Sequence, residues 1–335
     1  MERKINTAVI GLGMFGALHT QVYVEHPLSE LKAVVSRTPE RAREIGERFS
    51  ANWYTDVEEM LKKEKDLDAV SIVNRDADHK DTAIACARAG KQILLEKPMA
   101  PTLKEADKII EAVDKAGVTM MVNFTLRFDP PYIIAHERIH AGEIGEVMTM
   151  FARRNGTLPG AQYYGPWTDI LISTGIHELD SMVLFAGSKV KRVYGESEKR
   201  LTKGLKGDDA YMALLRFENG AIGNLETSWI LPGSDPAGLR ARFDIIGTKG
   251  AIFIEGVNEN IAILTEKEYR HPDSYYWPVL HGRVEGALRR AMDHFLTCLA
   301  EGKEPIAGGA EGRYSLQLVL AIQESCRTER PVELS

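Results

Sequence analysis

The stretch Gly11-Leu12-Gly13-Met14-Phe15-Gly16 lies between an apolar run over residues 4–10 and a helical pattern that continues to about residue 25. Three glycines at this spacing are typical of the turn between the first strand and helix of a dinucleotide-binding βαβ unit. The first glycine makes the turn, the second lets the backbone approach a pyrophosphate, and the third lets helix and strand pack closely. The N-terminus of the helix offers N–H donors to the phosphates. The candidate cofactor-binding residues here are Gly11, Gly13, Met14, Phe15 and Gly16.

Outward from this turn, short apolar runs alternate with helical patterns as far as residue 124. Strands that alternate with helices of about 10–15 residues indicate βαβ units and a buried parallel sheet. Gly90 and Gly117 each follow a helical pattern, where a left-handed C-cap favours glycine. The sequence predicts strands over residues 4–10, 31–35, 68–73, 92–95 and 118–122. It predicts a helix that follows the glycine motif and runs to about residue 25, and helices over 39–49, 79–89 and 103–116.

After about residue 124 the pattern changes to longer strands of alternating polarity. Turn-forming residues at 218–220 and 247–250 separate apolar runs, as they do in hairpins. Successive strands joined by tight turns indicate a mostly antiparallel sheet, which can leave one face open. The sequence predicts strands over residues 147–154, 190–198, 210–217, 221–230, 240–246 and 251–255, and helices over 130–141, 173–185, 284–300 and 311–326.

These two patterns define the fold class and the domains. A chain of 335 residues exceeds what a single hydrophobic core usually supports, so two domains are expected. The fold class is α/β, with an N-terminal Rossmann dinucleotide-binding domain followed by an α+β domain that has a large, mostly antiparallel, open-faced sheet. We place the NAD(P)-binding domain at residues 1–124, and a C-terminal domain for substrate binding and oligomerisation at residues 125–335.

Composition excludes several classes of function. The chain has 48 acidic and 42 basic side chains, a net charge of −6, which disfavours general binding to nucleic acid or to anionic membranes. No apolar run approaches the roughly 20 residues that cross a bilayer, and the N-terminus does not have the pattern of a signal peptide. The three cysteines show no disulfide or zinc-ligand spacing, which favours a reducing cytoplasm. We expect a soluble cytoplasmic enzyme with no metal.

The end of the second predicted strand bears on cofactor choice. In NAD-binding proteins a carboxylate about 20 residues after the glycine motif holds the ribose 2′-hydroxyl. Here Ser36 and Arg37 occupy that region. A small hydroxyl followed by a guanidinium suits a 2′-phosphate better, so the sequence favours NADP over NAD. The alternative interpretation is that Arg37 is a solvated loop residue.

A second motif, Leu94-Leu95-Glu96-Lys97-Pro98, ends the fourth of these strands. Ligands of doubly wound sheets bind outside the carboxyl ends of the strands, so Lys97 is expected to point toward nicotinamide and substrate. An ammonium group there can hold a substrate hydroxyl and stabilise its alkoxide as hydride leaves. The alternative is a surface lysine beside a proline that ends the strand.

Together with Arg127-Phe128-Asp129-Pro130 and Gly142-Glu143-Ile144-Gly145-Glu146-Val147, these motifs closely resemble the glucose-fructose oxidoreductase/inositol dehydrogenase/rhizopine-catabolism (Gfo/Idh/MocA) family. The resemblance covers essentially the whole chain. It implies an NAD(P)-dependent dehydrogenase or reductase that acts on a CH–OH group. Hydride would pass between nicotinamide and a sugar, cyclitol or related polyol or ketone. Glu96 and Lys97 are implied to be cofactor-binding, and a homodimer or homotetramer is implied to form through the C-terminal sheet.

The resemblance also indicates a reacting site in the second domain. Members of the family carry an Asp-x-Gly-x-His motif, which matches the stretch from Ser173 to His177 here. His177 is retained and maps onto the general acid/base, whereas Ser173 replaces the aspartate. Asp180 is three residues from His177, so the two share a helix face. The predicted catalytic residues are Lys97 and His177, and the predicted substrate-binding residues are Lys97, Arg127, Ser173, His177 and Asp180.

Other interpretations stay open from the sequence alone. A lone histidine on a helix can be a structural residue, and Arg127 could equally form a salt bridge between domains. A cofactor-sensing regulator without turnover would fit the loss of aspartate at position 173, although such a protein has no need of Lys97 and His177. An enzyme for a non-sugar substrate is a further alternative. The sequence names neither the substrate nor the direction of the reaction, and it does not choose between dimer and tetramer.

Overall fold

The computed structural model describes residues 3–255 and 260–334, which form two compact units. The first unit contains the described residues within Met1–Thr125 and Trp277–Tyr314. The second contains the described residues within Leu126–Tyr276 and Ser315–Ser335. Each unit is built around its own sheet, so the chain returns to the first unit after most of the second has been completed.

Strands and helices alternate along the N-terminal part of the first unit. Its six strands form one parallel sheet in the order β3-β2-β1-β4-β5-β6, which is the order of a Rossmann fold. The predicted Rossmann fold is therefore confirmed. In chain order the elements are β1 (Ile5–Ile10), α1 (Met14–Glu25), β2 (Ser29–Val35), α2 (Pro39–Phe49), β3 (Asn52–Tyr54), α3 (Val57–Lys63), β4 (Ala69–Ile72), α4 (Asp76–Arg88), β5 (Gln92–Glu96), α5 (Leu103–Ala116) and β6 (Met120–Asn123).

The burial of these strands explains why their sequences are mostly apolar. Val9, Val70 and Leu94 have no exposed surface, because helices cover both faces of a parallel sheet. Helix α5 begins and ends at residues suited to capping. Thr102 accepts a hydrogen bond from the backbone N–H of Glu105 at the start of α5, and Gly117 ends that helix at a φ of 64°.

A mixed seven-stranded sheet forms the centre of the second unit. The elements that follow β6 are α6 (Pro130–His140), β7 (Val147–Thr157), α7 (Leu158–Tyr164), α8 (Ile176–Ala186), β8 (Val190–Glu198), β9 (Ala210–Phe217), β10 (Ile222–Leu231), β11 (Leu239–Gly247) and β12 (Ala251–Glu255). The remaining elements are β13 (Ile263–Leu264), β14 (Tyr269–Arg270), β15 (Val279–Leu280), β16 (Arg283–Val284), α9 (Gly286–Glu301), α10 (Gly309–Thr328) and β17 (Val332–Glu333).

The large sheet has the order β12-β11-β7-β10-β9-β8-β17. Only β7 and β10 run parallel to each other among its neighbouring strands, so the prediction of a mostly antiparallel sheet is confirmed. Both predicted hairpins are present, as β9–β10 and β11–β12. In β9 the buried residues Tyr211, Ala213 and Leu215 alternate with exposed ones, because only one face of the sheet is covered.

The structure differs from the sequence prediction in its short elements and in its domain boundary. The short elements β3, α3, α7 and β13 to β17 had no counterpart in the predicted pattern. Residues 277–314 belong to the first unit, whereas the predicted second domain was continuous from 125 to 335. The physical reason lies in two contacts within the first unit. Helix α9 packs against α1, where Arg289 pairs with Glu25 at 2.8 Å. The backbone N–H of Val122 in β6 donates a hydrogen bond to the carbonyl oxygen of Ala307.

Over the described residues, no helix combines the length and the apolar character that crossing a membrane requires.

Candidate functional site

The glycine loop of the first unit has a geometry that only glycine can adopt at two positions. Gly11 has a φ of +97°, and a Cβ there would lie 2.4 Å from the backbone nitrogen of Asn74. A Cβ on Gly16 would lie 1.8 Å from the carbonyl oxygen of Gly11. Gly13 is different, because a Cβ there would meet nothing within 4 Å. The loop is therefore tightly packed at its ends and open at its centre.

The open centre faces the start of α1. This helix begins at Met14 after Gly13, with no side-chain cap and no acidic residue in its first turn. The first N–H groups of a helix have no acceptor within the helix, and they attract anions. Phe15 packs edge-to-face against Trp277, with ring centroids 4.8 Å apart. An uncapped helix start beside an open glycine fits the pyrophosphate of a dinucleotide cofactor.

The end of β2 carries the residues predicted to select the cofactor. The hydroxyl of Ser36 accepts a hydrogen bond from the backbone N–H of Thr38 at 3.2 Å. Arg37 is mostly exposed, and its Nη2 lies 3.3 Å from Oδ2 of Asp78 at the start of α4. The carboxylate of Asp78 partly neutralises the guanidinium and would repel a phosphate bound beside it.

Lys97 follows the last residue of β5, and the glycine loop follows the last residue of β1. Both strands lie beside β4, and all three run parallel, so the loop and Lys97 emerge at the same edge of the sheet. Two strand spacings of about 4.8 Å separate their chain positions by roughly 10 Å across the sheet. Lys97 is half-buried and precedes a cis peptide bond to Pro98.

The carboxylate next to Lys97 is held from within the first unit. Oε1 of Glu96 accepts from Nδ2 of Asn123 at 2.5 Å and lies 3.2 Å from Nε2 of His19. Burial raises the pKa of Glu96, but the hydrogen bonds from His19 and Asn123 and the charge of Lys97 outweigh it, so the pKa lies below its ordinary value. Glu96 is therefore an ionised carboxylate at the edge that carries Lys97.

A second buried histidine contacts the same turn. His79, at the start of α4, has its Nδ1 2.9 Å from the carbonyl oxygen of Pro98 and its Nε2 3.2 Å from that of Asn74. Burial lowers the pKa of His79. The side chain thereby links the turn after Lys97 to the segment that packs against Gly11.

In the second unit, Ser173 and His177 lie on either side of a change in helical geometry. Residues Leu171–Gly175 form a π-helical turn that continues into α8, so Ser173 lies in the wider turn and His177 in the first turn of the α-helix. Both side chains are half-buried. A Cβ on Gly175 would lie 3.1 Å from Cγ2 of Thr227 in β10, so glycine lets this turn lie close to the sheet.

Asp169 anchors the start of that turn. Its Oδ1 accepts from the backbone N–H of Ile172 at 2.9 Å, and its Oδ2 accepts from Nε2 of Gln323 at 2.6 Å. Burial raises the pKa of Asp169. Its contacts are those of a residue that fixes the backbone leading to Ser173.

The predicted substrate-binding residues Arg127 and Asp180 contact each other. The guanidinium makes two hydrogen bonds to the carboxylate, and the hydroxyl of Ser315 lies 3.3 Å from Oδ1 of Asp180. The spacing of three residues from His177 predicted a shared helix face. In the structure Asp180 is buried in this ion pair, whereas His177 is only half-buried.

A further buried cluster, which sequence reasoning missed, lies beside the helix of His177. Arg154 of β7 donates from Nε to Glu178 at 2.5 Å and from Nη1 to the hydroxyl of Tyr276 at 2.6 Å. Arg154 and Glu178 are almost wholly buried. Because Glu178 is the neighbour of His177 in α8, this cluster fixes the first turn of the helix. The sequence signal was an arginine at a core-facing position of a strand.

The structure thus groups the predicted residues by unit. The first unit assembles the glycine loop, Ser36, Arg37, Glu96 and Lys97 around the carboxyl ends of its strands, and the second unit contains Arg127, Ser173, His177 and Asp180. Sequence reasoning missed His19, His79 and Asn123. A polar residue directly at the end of a parallel strand is the signal that would have identified Asn123. Within the described residues, no group of three or more His, Cys, Asp or Glu side chains is placed to hold a metal ion.

Comparisons with known proteins agree with these features. Residues 5–124 match the model of an oxidoreductase family described as an NAD-binding Rossmann fold, and residues 136–334 match the C-terminal alpha/beta domain of that family. The chain is 32% identical to scyllo-inositol 2-dehydrogenase (NAD(+)) of Bacillus subtilis strain 168, over 100% of this chain and 97% of the relative. It is 28% identical to a myo-inositol 2-dehydrogenase of Thermotoga maritima, over 97% of each.

A solved structure shows the same likeness. The crystal structure of a probable dehydrogenase from Thermotoga maritima superposes with a TM-score of 0.85 at 25% identity, covering 98% of this chain and 99% of that one.

Proposed function

Because the chain belongs to the Gfo/Idh/MocA family of oxidoreductases, whose first domain is an NAD-binding Rossmann fold, we propose that it is an NAD-dependent dehydrogenase of a cyclitol or related sugar. One observation carries this proposal. The glycine loop and Lys97 emerge at the same carboxyl edge of one parallel sheet, one intervening strand apart. Inositol dehydrogenases among the relatives support a ring of adjacent secondary alcohols as the substrate class.

We assign cofactor binding and substrate binding to different units. We assign cofactor binding to the first unit, through Gly11, Gly13, Met14, Phe15 and Gly16. Glu96 and Lys97 are assigned to the nicotinamide end of the cofactor. Substrate binding is assigned to the second unit, with Ser173 and His177 facing the substrate. Arg127 and Asp180 would hold α8 in position, since their opposite charges already pair with each other.

We propose NAD as the cofactor, in place of the NADP that Ser36 and Arg37 favoured. The matching family model is NAD-binding, and one relative carries NAD(+) in its name. The ion pair between Arg37 and Asp78 supports the same choice. A guanidinium that already faces a carboxylate has less to offer a 2′-phosphate, and Asp78 would add repulsion.

In the proposed mechanism, bound NAD supplies the acceptor for hydride at C4 of its nicotinamide. His177 takes the proton of the substrate hydroxyl as general base, a role typically worth about 10²–10⁴-fold in rate. Lys97 donates a hydrogen bond to the same oxygen and stabilises the negative charge that develops there. The proton leaves on the imidazole of His177, and the carbonyl product keeps its oxygen.

We also propose a homodimer or homotetramer that forms through the large sheet of the second unit. Exposed apolar side chains lie on its strands, including Met212 and Leu214 on β9 and Phe253 on β12. Apolar side chains exposed on a sheet favour association with another protein surface. Light scattering of the purified chain distinguishes these two states from a monomer. A cytoplasmic location is part of the proposal, supported by three cysteines that form no disulfide.

The function is tested by incubating the protein with NAD or NADP and a panel of polyols, and following nicotinamide absorbance. The panel contains scyllo-inositol, myo-inositol, open-chain polyols, aldoses and a non-carbohydrate dihydrodiol. We expect turnover with a cyclitol or sugar and NAD. Turnover of the dihydrodiol alone would replace the substrate class, whereas NAD binding without turnover of any compound would indicate a cofactor-sensing regulator.

A further inference from the structure

A buried histidine contacts the carboxylate beside Lys97. Nε2 of His19, on α1, lies 3.2 Å from Oε1 of Glu96 at the end of β5. The side chain of His19 has no exposed surface, and that of Glu96 is 11% exposed. The contact therefore connects the interior of the first unit to the edge of the sheet at which Lys97 emerges.

The orientation of His19 is itself fixed. Its Nδ1 lies 3.1 Å from the hydroxyl of Ser71 in β4, and that hydroxyl lies 2.7 Å from the hydroxyl of Tyr23, one turn further along α1. The imidazole cannot turn without losing both of its partners. Such second contacts are what hold a functional histidine in one ring orientation.

Stability alone does not account for this chain of polar groups. Burying a polar side chain costs free energy even when it is hydrogen-bonded, and apolar residues of similar volume often stabilise a core equally well. These polar groups nevertheless run through the buried interior of the first unit, from Tyr23 through Ser71 and His19 to Glu96, and end beside Lys97. Their arrangement is that of groups that hold one carboxylate in a defined place.

We propose that His19 is a positioning residue for Lys97: by holding the carboxylate of Glu96, it fixes the direction of the neighbouring lysine and keeps it as an ammonium ion. The inference rests on the proposed function, which assigns Lys97 to the oxygen of the reacting alcohol. Asn123 holds the same oxygen of Glu96 from β6, and His79 holds the carbonyl of Pro98. The turn that carries Lys97 is thus restrained on both sides.

The kinetic test compares His19→Leu, His19→Gln, Glu96→Gln and the double variant His19→Leu/Glu96→Gln on the accepted polyol. We expect His19→Leu to lower kcat at least tenfold while the dissociation constant for NAD changes less than about twofold. His19→Gln should be faster than His19→Leu, because the amide of glutamine can donate a hydrogen bond to Glu96. The double variant should be no slower than Glu96→Gln, since coupled residues are not additive.

A matched control is available at the residue that directly follows the same helix. His26 is also buried in the first unit and pairs with Asp293 at 3.1 Å, but it does not contact Glu96. His26→Gln should leave kcat unchanged. Equal losses in His26→Gln and His19→Leu, or additive losses in the double variant, would mean that His19 has only a structural role.

A chemical test needs no turnover. The cofactor-free protein is labelled briefly with acetic anhydride at fixed pH, and acetylation of Lys97 is quantified by mass spectrometry against the exposed Lys62. Loss of the held carboxylate favours the neutral amine, so Lys97 should react several-fold faster in both Glu96→Gln and His19→Leu. An unchanged labelling rate in His19→Leu would overturn the inference.

Failure of the inference can be distinguished from failure of the proposed function. Near-normal kcat in Lys97→Met would remove Lys97 from the reaction and with it the premise. An inactive Lys97→Met together with a fully active His19→Leu would retain the proposed function and exclude the positioning role alone.

Discussion

Arg127 and Asp180 form a two-point ion pair, with Nε to Oδ2 at 2.8 Å and Nη2 to Oδ1 at 2.7 Å. The side chains are 7% and 2% exposed. The pair joins the 3₁₀ turn over Thr125–Phe128 to the middle of α8, the helix whose first turn carries His177. Because each charge already has a matched partner, we propose that the pair holds α8 in place.

This relationship predicts a large cost when one partner is removed. Asp180→Asn should lower the free energy of unfolding by about 3–5 kcal/mol, because the guanidinium of Arg127 stays buried without its counter-charge. Denaturant unfolding measures the change. The matched control is Glu143→Gln, which breaks the exposed pair with Arg138 and should leave stability unchanged. Unaltered stability of Asp180→Asn with a raised KM would instead indicate direct contact between Asp180 and substrate.

The glycine loop predicts opposite behaviour for two alanine substitutions. Gly13→Ala should fold with a stability within about 0.5 kcal/mol of the native chain, because nothing lies within 4 Å of the added methyl group. It should still weaken NAD binding at least tenfold, since that methyl group occupies the open centre of the loop. Gly16→Ala should lose both stability and binding because of the 1.8 Å approach to Gly11. Titration with NAD and denaturant unfolding of both variants check this, and native NAD affinity in Gly13→Ala would place the pyrophosphate elsewhere.

Cofactor choice can be tested at the ion pair between Arg37 and Asp78. Asp78→Asn should improve affinity for NADP about tenfold or more and leave that for NAD nearly unchanged, because it frees a guanidinium that can pair with a 2′-phosphate. Adding Arg37→Ala to Asp78→Asn should remove the gain. Dissociation constants of both cofactors provide the readout. If NADP already binds the native chain more tightly than NAD does, the original NADP prediction is restored.

The sequence predicted features that depend on local backbone geometry. Gly11 and Gly16 could be placed in a Rossmann turn because their conformation and close approach admit no other residue. The hairpin at residues 247–250 likewise follows from its turn residues. By contrast, β3 and α3 are short, and two of the three residues in β3 are exposed, so they left no apolar pattern to detect.

Long-range partners of the site could not be derived in this way. His19 contacts Glu96, which is 77 residues away in the sequence, and Arg154 contacts Tyr276, which is 122 residues away. Such contacts depend on which strands become neighbours, and periodicity within one element does not contain that information. Helical spacing placed Asp180 near His177, but it could not show that Arg127 would pair with the carboxylate.

If Lys97 and His177 form the proposed reacting pair, their variants should separate cofactor binding from chemistry. Lys97→Met and His177→Ala should each lower kcat at least about 10²-fold while NAD affinity changes little, because both groups are proposed to act on the substrate oxygen. The rates come from steady-state kinetics and the affinities from cofactor titration in the absence of substrate. A control is Lys62→Met, an exposed lysine on α3, which should keep native kinetics. Normal turnover in either active-site variant would remove that residue from the mechanism.

Ser173 stands where the family resemblance implied an aspartate, and it offers a sharp test of the second unit. Ser173 and His177 are four residues apart across the junction of the π-helical turn and α8. A carboxylate at position 173 would stabilise the imidazolium form of His177, since a nearby opposite charge favours the charged state. A base that holds its proton more strongly becomes competent only at higher pH, so Ser173→Asp should move the rising limb of the oxidation rate profile to higher pH. Ser173→Asn is the matched neutral control, and it should leave the profile in place while altering substrate preference. The pH–rate profiles of all three proteins on one accepted polyol decide the matter. If Ser173→Asp and Ser173→Asn shift the pH–rate profile equally, or if neither variant shifts it, Ser173 does not face His177 in the reacting site.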